Sequence, residues 1–155
     1  MDDNHFRARF ERPYLVKNDS ADPAGFTALD FVGALGSVGN ALLYSRLFWP
    51  EFIEVDGMVF IKDYVDDLGG PDGIRKMHDD IVERQSLEKN INNFDVNLNF
   101  PNHPEENDEG DDLLLANQLA KMWSLRLRQI YTHRRFHVEV SDDNGSPCVS
   151  YFEEV

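Results

Sequence analysis

The pair Asp56-Gly57, set between the runs Glu51 to Val55 and Met58 to Lys62, constrains this chain more than any other feature. A two-residue connection of type I′ needs positive φ at both central positions, and Asp-Gly meets that need at little steric cost. β-prone residues on either side make the segment an antiparallel hairpin. A second hairpin is expected at the C-terminal end. There Phe136, Val138 and Val140 alternate with His137 and Glu139, the turn Asp142-Asp143-Asn144-Gly145 follows, and Val149 and Tyr151 share one face.

Helical periods fill the space between the hairpins. Ile74, Met77, Ile81, Leu87, Ile91 and Phe94 mark one stripe after the starting signal Pro71-Asp72. Leu115, Leu119, Met122, Trp123, Leu127 and Ile130 mark the inward face of a helix over 113–131. Asp111 and Asp112 precede that helix and Arg126 and Arg128 sit in its late turns, which is the charge order the helix dipole favours. Ala24 to Phe48 is apolar on more than one face, as in an interior helix or a subunit contact. Gly33, Gly36 and Gly39 step along it, which indicates either a close backbone approach or a helix broken near Gly36. Trp49-Pro50 closes the segment because proline cannot continue a helix.

The expected fold is α+β: an antiparallel sheet of about four strands, supplied by two hairpins, packed against three main helices. The hairpins could also join edge to edge. The chain is read as a single domain over 1–155. Residues 1–23 form an N-terminal arm or short helix carrying Phe6, Phe10, Tyr14 and Leu15, and 95–112 form an acidic loop. Asp63 to Gly73 is read as a second acidic, glycine-rich loop. At 155 residues, about 70% of the unfolded surface can be buried, so the core needs no covalent staples.

Charge narrows the function classes. The chain carries 29 acidic and 15 basic side chains, a formal net charge of −14. Such a surface repels phosphate backbones and anionic lipid, so neither nucleic acid nor membrane is expected as a partner. It attracts cationic proteins. The longest uncharged run, Phe31 to Ser45, is too short to span a bilayer. A lone cysteine, Cys148, and an acidic N-terminus without an apolar h-region point to a cytoplasmic protein.

Catalytic and metal motifs are weak. No Gly-x-Ser-x-Gly elbow, His-Glu-x-x-His pair or phosphate loop occurs. Placing Gly110 at position 6 of a calcium loop puts Glu105, Asn107 and Glu109 at positions 1, 3 and 5, but position 12 falls on Ala116. No cofactor, metal or enzymatic activity is therefore expected. The alternatives kept open are a metal-dependent hydrolase built on His78 or His137 with carboxylates, and a structural subunit.

The leading expectation is a module that binds a basic protein, of the inhibitor or immunity type that neutralises a toxin nuclease. From Asn90 through Ala120 no lysine or arginine occurs, yet Glu105, Glu106, Asp108, Glu109, Asp111 and Asp112 crowd that interval. Asp63, Asp66 and Asp67 form a second acidic set. Phe94, Phe100, Trp49 or Tyr64 are candidate apolar anchors, and Phe26 to Phe48 is a candidate homo-oligomer contact.

Overall fold

The computed structural model describes residues 27–80, 83–100, 110–143 and 145–154. The chain divides into two compact units, Met1–Ser45 and Arg46–Val155. The expected arm over 1–23 lies outside the described residues.

In the first unit, α1 (Ala28–Leu35) starts at a capping box. Thr27 receives the Asp30 backbone N–H, and the Asp30 carboxylate receives the Thr27 backbone N–H in return. The helix ends at Gly36, whose backbone N–H reaches the Val32 carbonyl at 2.8 Å. A Cβ at Gly36 would collide with that carbonyl, while Gly33 has open space around it. Of the two readings of the glycine steps, the structure takes the broken helix. α2 (Val38–Phe48) restarts after Ser37.

The second unit is α+β with antiparallel sheets. β1 (Phe52–Val55) and β2 (Met58–Ile61) form the first hairpin, with Val55 opposite Met58. Its turn has positive φ at both Asp56 (50°) and Gly57 (81°), the type I′ requirement. The second hairpin pairs β4 (Phe136–Asp143) with β5 (Ser146–Glu153). A short strand, β3 (Phe94–Asp95), lies on the far side of β5, giving the order β3-β5-β4. The strands therefore divide into a two-stranded and a three-stranded sheet, and the two hairpins do not pair edge to edge.

Two segments read as loops carry helices. α3 (Lys62–Asp67) occupies the first half of the glycine-rich stretch. Val65 is fully buried there, Lys62 bridges to Asp66 at 2.6 Å, and Gly69 and Gly70, both at positive φ, end the turn. Six residues are too few to show a period, so the helix was invisible to pattern. The stripe expected from Ile74 to Phe94 divides into α4 (Pro71–Asp80), α5 (Arg84–Ile91) and the strand β3. After β3, α6 (Val96–Asn99) is capped by the Asp95 carboxylate on Leu98 N–H. The loop read over 95–112 is thus structured at both ends, because Asp111 and Asp112 belong to α7 (Asp111–Ile130).

β2 explains why the core has two parts. Its residues are buried on both faces, so its sequence reads as a continuous apolar run. Val59 and Ile61 join Phe94, Val96, Leu119, Trp123, Leu127, Val149 and Tyr151 under α7. Met58 and Phe60 join Val55, Val65, Ile74, Leu87 and Ile91 beside α4 and α5. Trp123 is fully buried, meets Phe94 and Tyr151 edge to face, and donates its indole N–H to the Leu47 carbonyl at 2.8 Å. It is core, as its place on the helix indicated.

Polar side chains close the outer edge of β2. Val55 and Met58 pair across the turn, so alternation points the polar groups of Val59 and Ile61 away from β1. Val59 N–H donates to Glu88 Oε1 at 2.9 Å, and Ile61 N–H donates to Asn92 Oδ1 at 3.0 Å. The Val59 carbonyl accepts from Asn92 Nδ2 at 3.0 Å and from the Tyr151 hydroxyl at 3.3 Å. The second Glu88 oxygen accepts from Glu153 N–H, so one carboxylate ties both hairpins. Glu88 and Asn92 are 1% and 0% exposed. Spaced four apart, Glu88 in α5 and Asn92 at its C-cap, they point to the same side.

Candidate functional site

α7 turns the uneven charge of the sequence into a charge gradient. A helix of 20 residues is about 30 Å long. Asp111 and Asp112 occupy its first turn, beside the partial positive charge of the helix N-terminus. Asp112 receives the Leu113 N–H at 2.7 Å. Gly110, at φ 89°, sets the backbone into this end. Glu109 precedes it directly in sequence, and Glu105, Glu106 and Asp108 follow closely upstream. These four residues lie outside the described residues.

Of the helix cations, Lys121 stands midway, about 15 Å from Asp111 along the axis, and Arg126 and Arg128 stand at the other end. At 1.5 Å per residue, Arg126 and Arg128 are some 20–25 Å from Asp111 along the axis. Screening at physiological salt acts over about 8 Å, so they cannot offset the acidic end. Arg126 lies over the Trp49 ring at 5.3 Å and donates to Gln129, and Arg128 donates back to the Ser124 carbonyl. Arg134, just past the helix, is fully engaged. It holds Glu153 through two nitrogens at 2.7 and 2.5 Å, reaches Glu54 at 3.0 Å, and donates to the Gly57 carbonyl.

The second acidic set is locally compensated. Asp63 pairs with Arg46, and Asp66 pairs with Lys62. Arg75 bridges Asp56 and Asp72, and its guanidinium holds the Asp56 carboxyl below the usual range. Asp67 is exposed and pairs with no cation among the described residues. Asp63 and Asp66 have cations in contact, and the interval from Asn90 through Ala120 that holds Asp111 and Asp112 contains no lysine or arginine.

The apolar candidates also separate. Phe94 is 5% exposed and belongs to the core, so it cannot anchor a partner. Phe100 and Tyr64 are half-buried, and Tyr64 is shielded enough that its hydroxyl pKa is pushed up. Trp49 is 42% exposed, with one face covered by Arg126.

The described histidines, His78, His133 and His137, do not build a common site. His78 is exposed on α4 and His133 is exposed in the turn after α7. His137 approaches Glu139 at 3.2 Å and Glu154 at 3.8 Å, and its ring lies 5.1 Å from Phe152. Glu139 is itself held by Lys89 at 2.6 Å, which lowers its pKa. Among the described residues, no three metal-ligating side chains converge. No helix among them is long and apolar enough to cross a membrane.

Comparison with known proteins identifies no relative: no protein-family model, curated protein or solved structure matches the chain.

Proposed function

We propose that this chain is an acidic protein-binding module, of the inhibitor or immunity type, acting on a basic protein such as a toxin nuclease in the cytoplasm. The contact is the run Glu105, Glu106, Asp108, Glu109, Asp111 and Asp112 at the head of α7. The observation that carries this reading is the separation along α7, which leaves Asp111 and Asp112 beyond the screened reach of Lys121, Arg126 and Arg128. A nuclease presents lysine and arginine where it holds phosphates, and a compact run of carboxylates matches that surface. Such a match raises the association rate most at low salt. Asp63 and Asp66 contribute less, since Arg46 and Lys62 already compensate them. Asp67 remains available at the surface. The module works by occupying its partner rather than by chemistry of its own.

The test compares the wild type with a variant carrying Glu105→Gln, Glu106→Gln, Asp108→Asn and Glu109→Gln. Basic proteins retained at low salt should be released at high salt, and the variant should retain them at least tenfold more weakly. A second variant, Asp63→Asn with Asp66→Asn, should lose far less. Equal retention by the wild type and the quadruple variant would remove the proposal.

A further inference from the structure

We infer that two copies of this chain pair along the outer edge of β4, antiparallel about a two-fold axis at Val138. This rests on the backbone of that strand and not on the acidic contact proposed above.

The register fixes which backbone groups of β4 point outward. Glu154 N–H donates to the Arg135 carbonyl at 2.9 Å, so those two residues form a hydrogen-bonded pair. Pairing then runs one for one from Phe136 opposite Glu153 to Asp143 opposite Ser146. Bonded and non-bonded pairs alternate in an antiparallel ladder, so Phe136, Val138, Val140 and Asp142 aim their N–H and C=O groups away from β5. Two observations on β5 agree. Glu153, opposite Phe136, turns its N–H to Glu88 and its carbonyl to Gln85. Pro147, opposite Asp142, has no N–H to give.

Among the described residues no strand lies beyond β4, and no backbone group bonds to those four outward positions. Phe136 through Asp142 are all at least partly exposed, whereas Pro147 through Tyr151 of β5 are buried. Edges of this length are commonly blunted by a proline, a lysine or a bulge, and β4 has none of them.

Any extended chain can bond to such an edge; the side chains select a second copy. With Val138 opposite its own counterpart, Phe136 meets the other copy's Val140 on one face, and His137 meets the other copy's Glu139 on the opposite face. Each of these contacts occurs twice, as a two-fold interface requires. An axis at Glu139 would instead set two carboxylates against each other, and an axis at Val140 would set Val138 against Asp142. Glu139 is already held by Lys89 at 2.6 Å, so little uncompensated charge enters the contact. The assembly also closes. Its sheet would read β3-β5-β4 twice over, and the two-residue β3 at each end is too short an edge to extend it.

Sedimentation equilibrium over a range of protein concentrations, read beside amide hydrogen exchange, tests the inference. A reversible dimer is expected, tighter at high salt, where screening removes the mutual repulsion of two acidic chains. Binding of a basic protein has the opposite salt dependence, so the two proposals fail separately. The amides of Val138 and Val140 should exchange fast in dilute protein and slow down as the dimer fills, while those of His137 and Glu139 stay slow throughout. Val138→Pro removes an N–H that β4 does not give to β5, and should weaken the dimer by about tenfold or more. His137→Glu, at an exposed position, sets carboxylates opposite each other and should weaken it in the same direction by less. A monomer at every concentration in high salt overturns the inference, as does a dimer that His137→Glu leaves unchanged. A Val138 amide already slow in the monomer also overturns it, because another part of the same chain then covers the edge.

Discussion

The two hairpins start from similar turns and solve the same problem differently. β5 fills its outer edge with another strand, β3, where Phe94 lies opposite Val149 and Asp95 opposite Cys148. Among the described residues β2 has no strand on its outer edge, which it fills with Glu88, Asn92 and the Tyr151 hydroxyl. Strand pairing needs only backbone, whereas a side-chain closure needs particular atoms at particular places. The first arrangement tolerates substitution; the second concentrates the cost of losing an edge on a few residues. A buried donor left unpaired costs about 1–3 kcal/mol.

That contrast is open to test, and the largest effect falls on Glu88. Glu88→Ala strands the N–H groups of Val59 and Glu153 together, and should cost roughly 3–5 kcal/mol in urea unfolding. Asn92→Ala should cost somewhat less, because Tyr151 still reaches the Val59 carbonyl. A loss below about 1 kcal/mol for Glu88→Ala would mean that water satisfies those groups, and the contrast would collapse.

Arg134 is the middle case. It ties the β1–β2 turn to the end of β5 through Gly57, Glu54 and Glu153, but part of that network is wet. Arg134→Met should cost about 1–2 kcal/mol, with the salt-sensitive part assigned to the exposed Glu54. If its cost exceeds that of Glu88→Ala, the join between hairpins is held from the rim and not from the interior.

Asp95, on the conventionally paired edge, should show the smallest effect. The Ser146 hydroxyl, at 2.5 Å, and the Leu98 N–H hold its carboxyl below the ordinary value of 3.8. Because the folded value is depressed, this stabilisation is complete above the unfolded value and fades as pH falls through the folded one. Ser146→Ala should therefore cost no more than about 1 kcal/mol at neutral pH, shrinking to nothing in acid. A cost that persists at the acid end of a pH series of melts would assign Ser146 a role apart from Asp95.

The sequence made both hairpins legible, because Asp-Gly and Asn-Gly turns and strand alternation are local signals. It also marked most of the inward face of α7, with Leu119, Trp123 and Leu127 in the core, but Ile130, read as inward, is 41% exposed because it lies in the last turn of the helix. It hid what depended on contact. α3 is too short for a period, and it forms because Val65 finds a pocket beside Ile74. Glu88 and Asn92 look like ordinary surface residues until β2 is seen to lack a neighbour; their spacing beside the apolar Leu87 and Ile91 was the one available hint. The acidic stretches looked alike in composition. Only coordinates show that Arg46, seventeen positions upstream, sits against Asp63.

The two tryptophans occupy opposite surroundings, and this gives the protein two built-in optical reporters. Trp123 is sealed among aromatic rings with its indole N–H tied to Leu47. Trp49 is partly open to solvent beneath the Arg126 guanidinium. Emission from the first follows the melting of the interior. Emission from the second responds to quenchers, and to anything that settles on the surface where α2 ends.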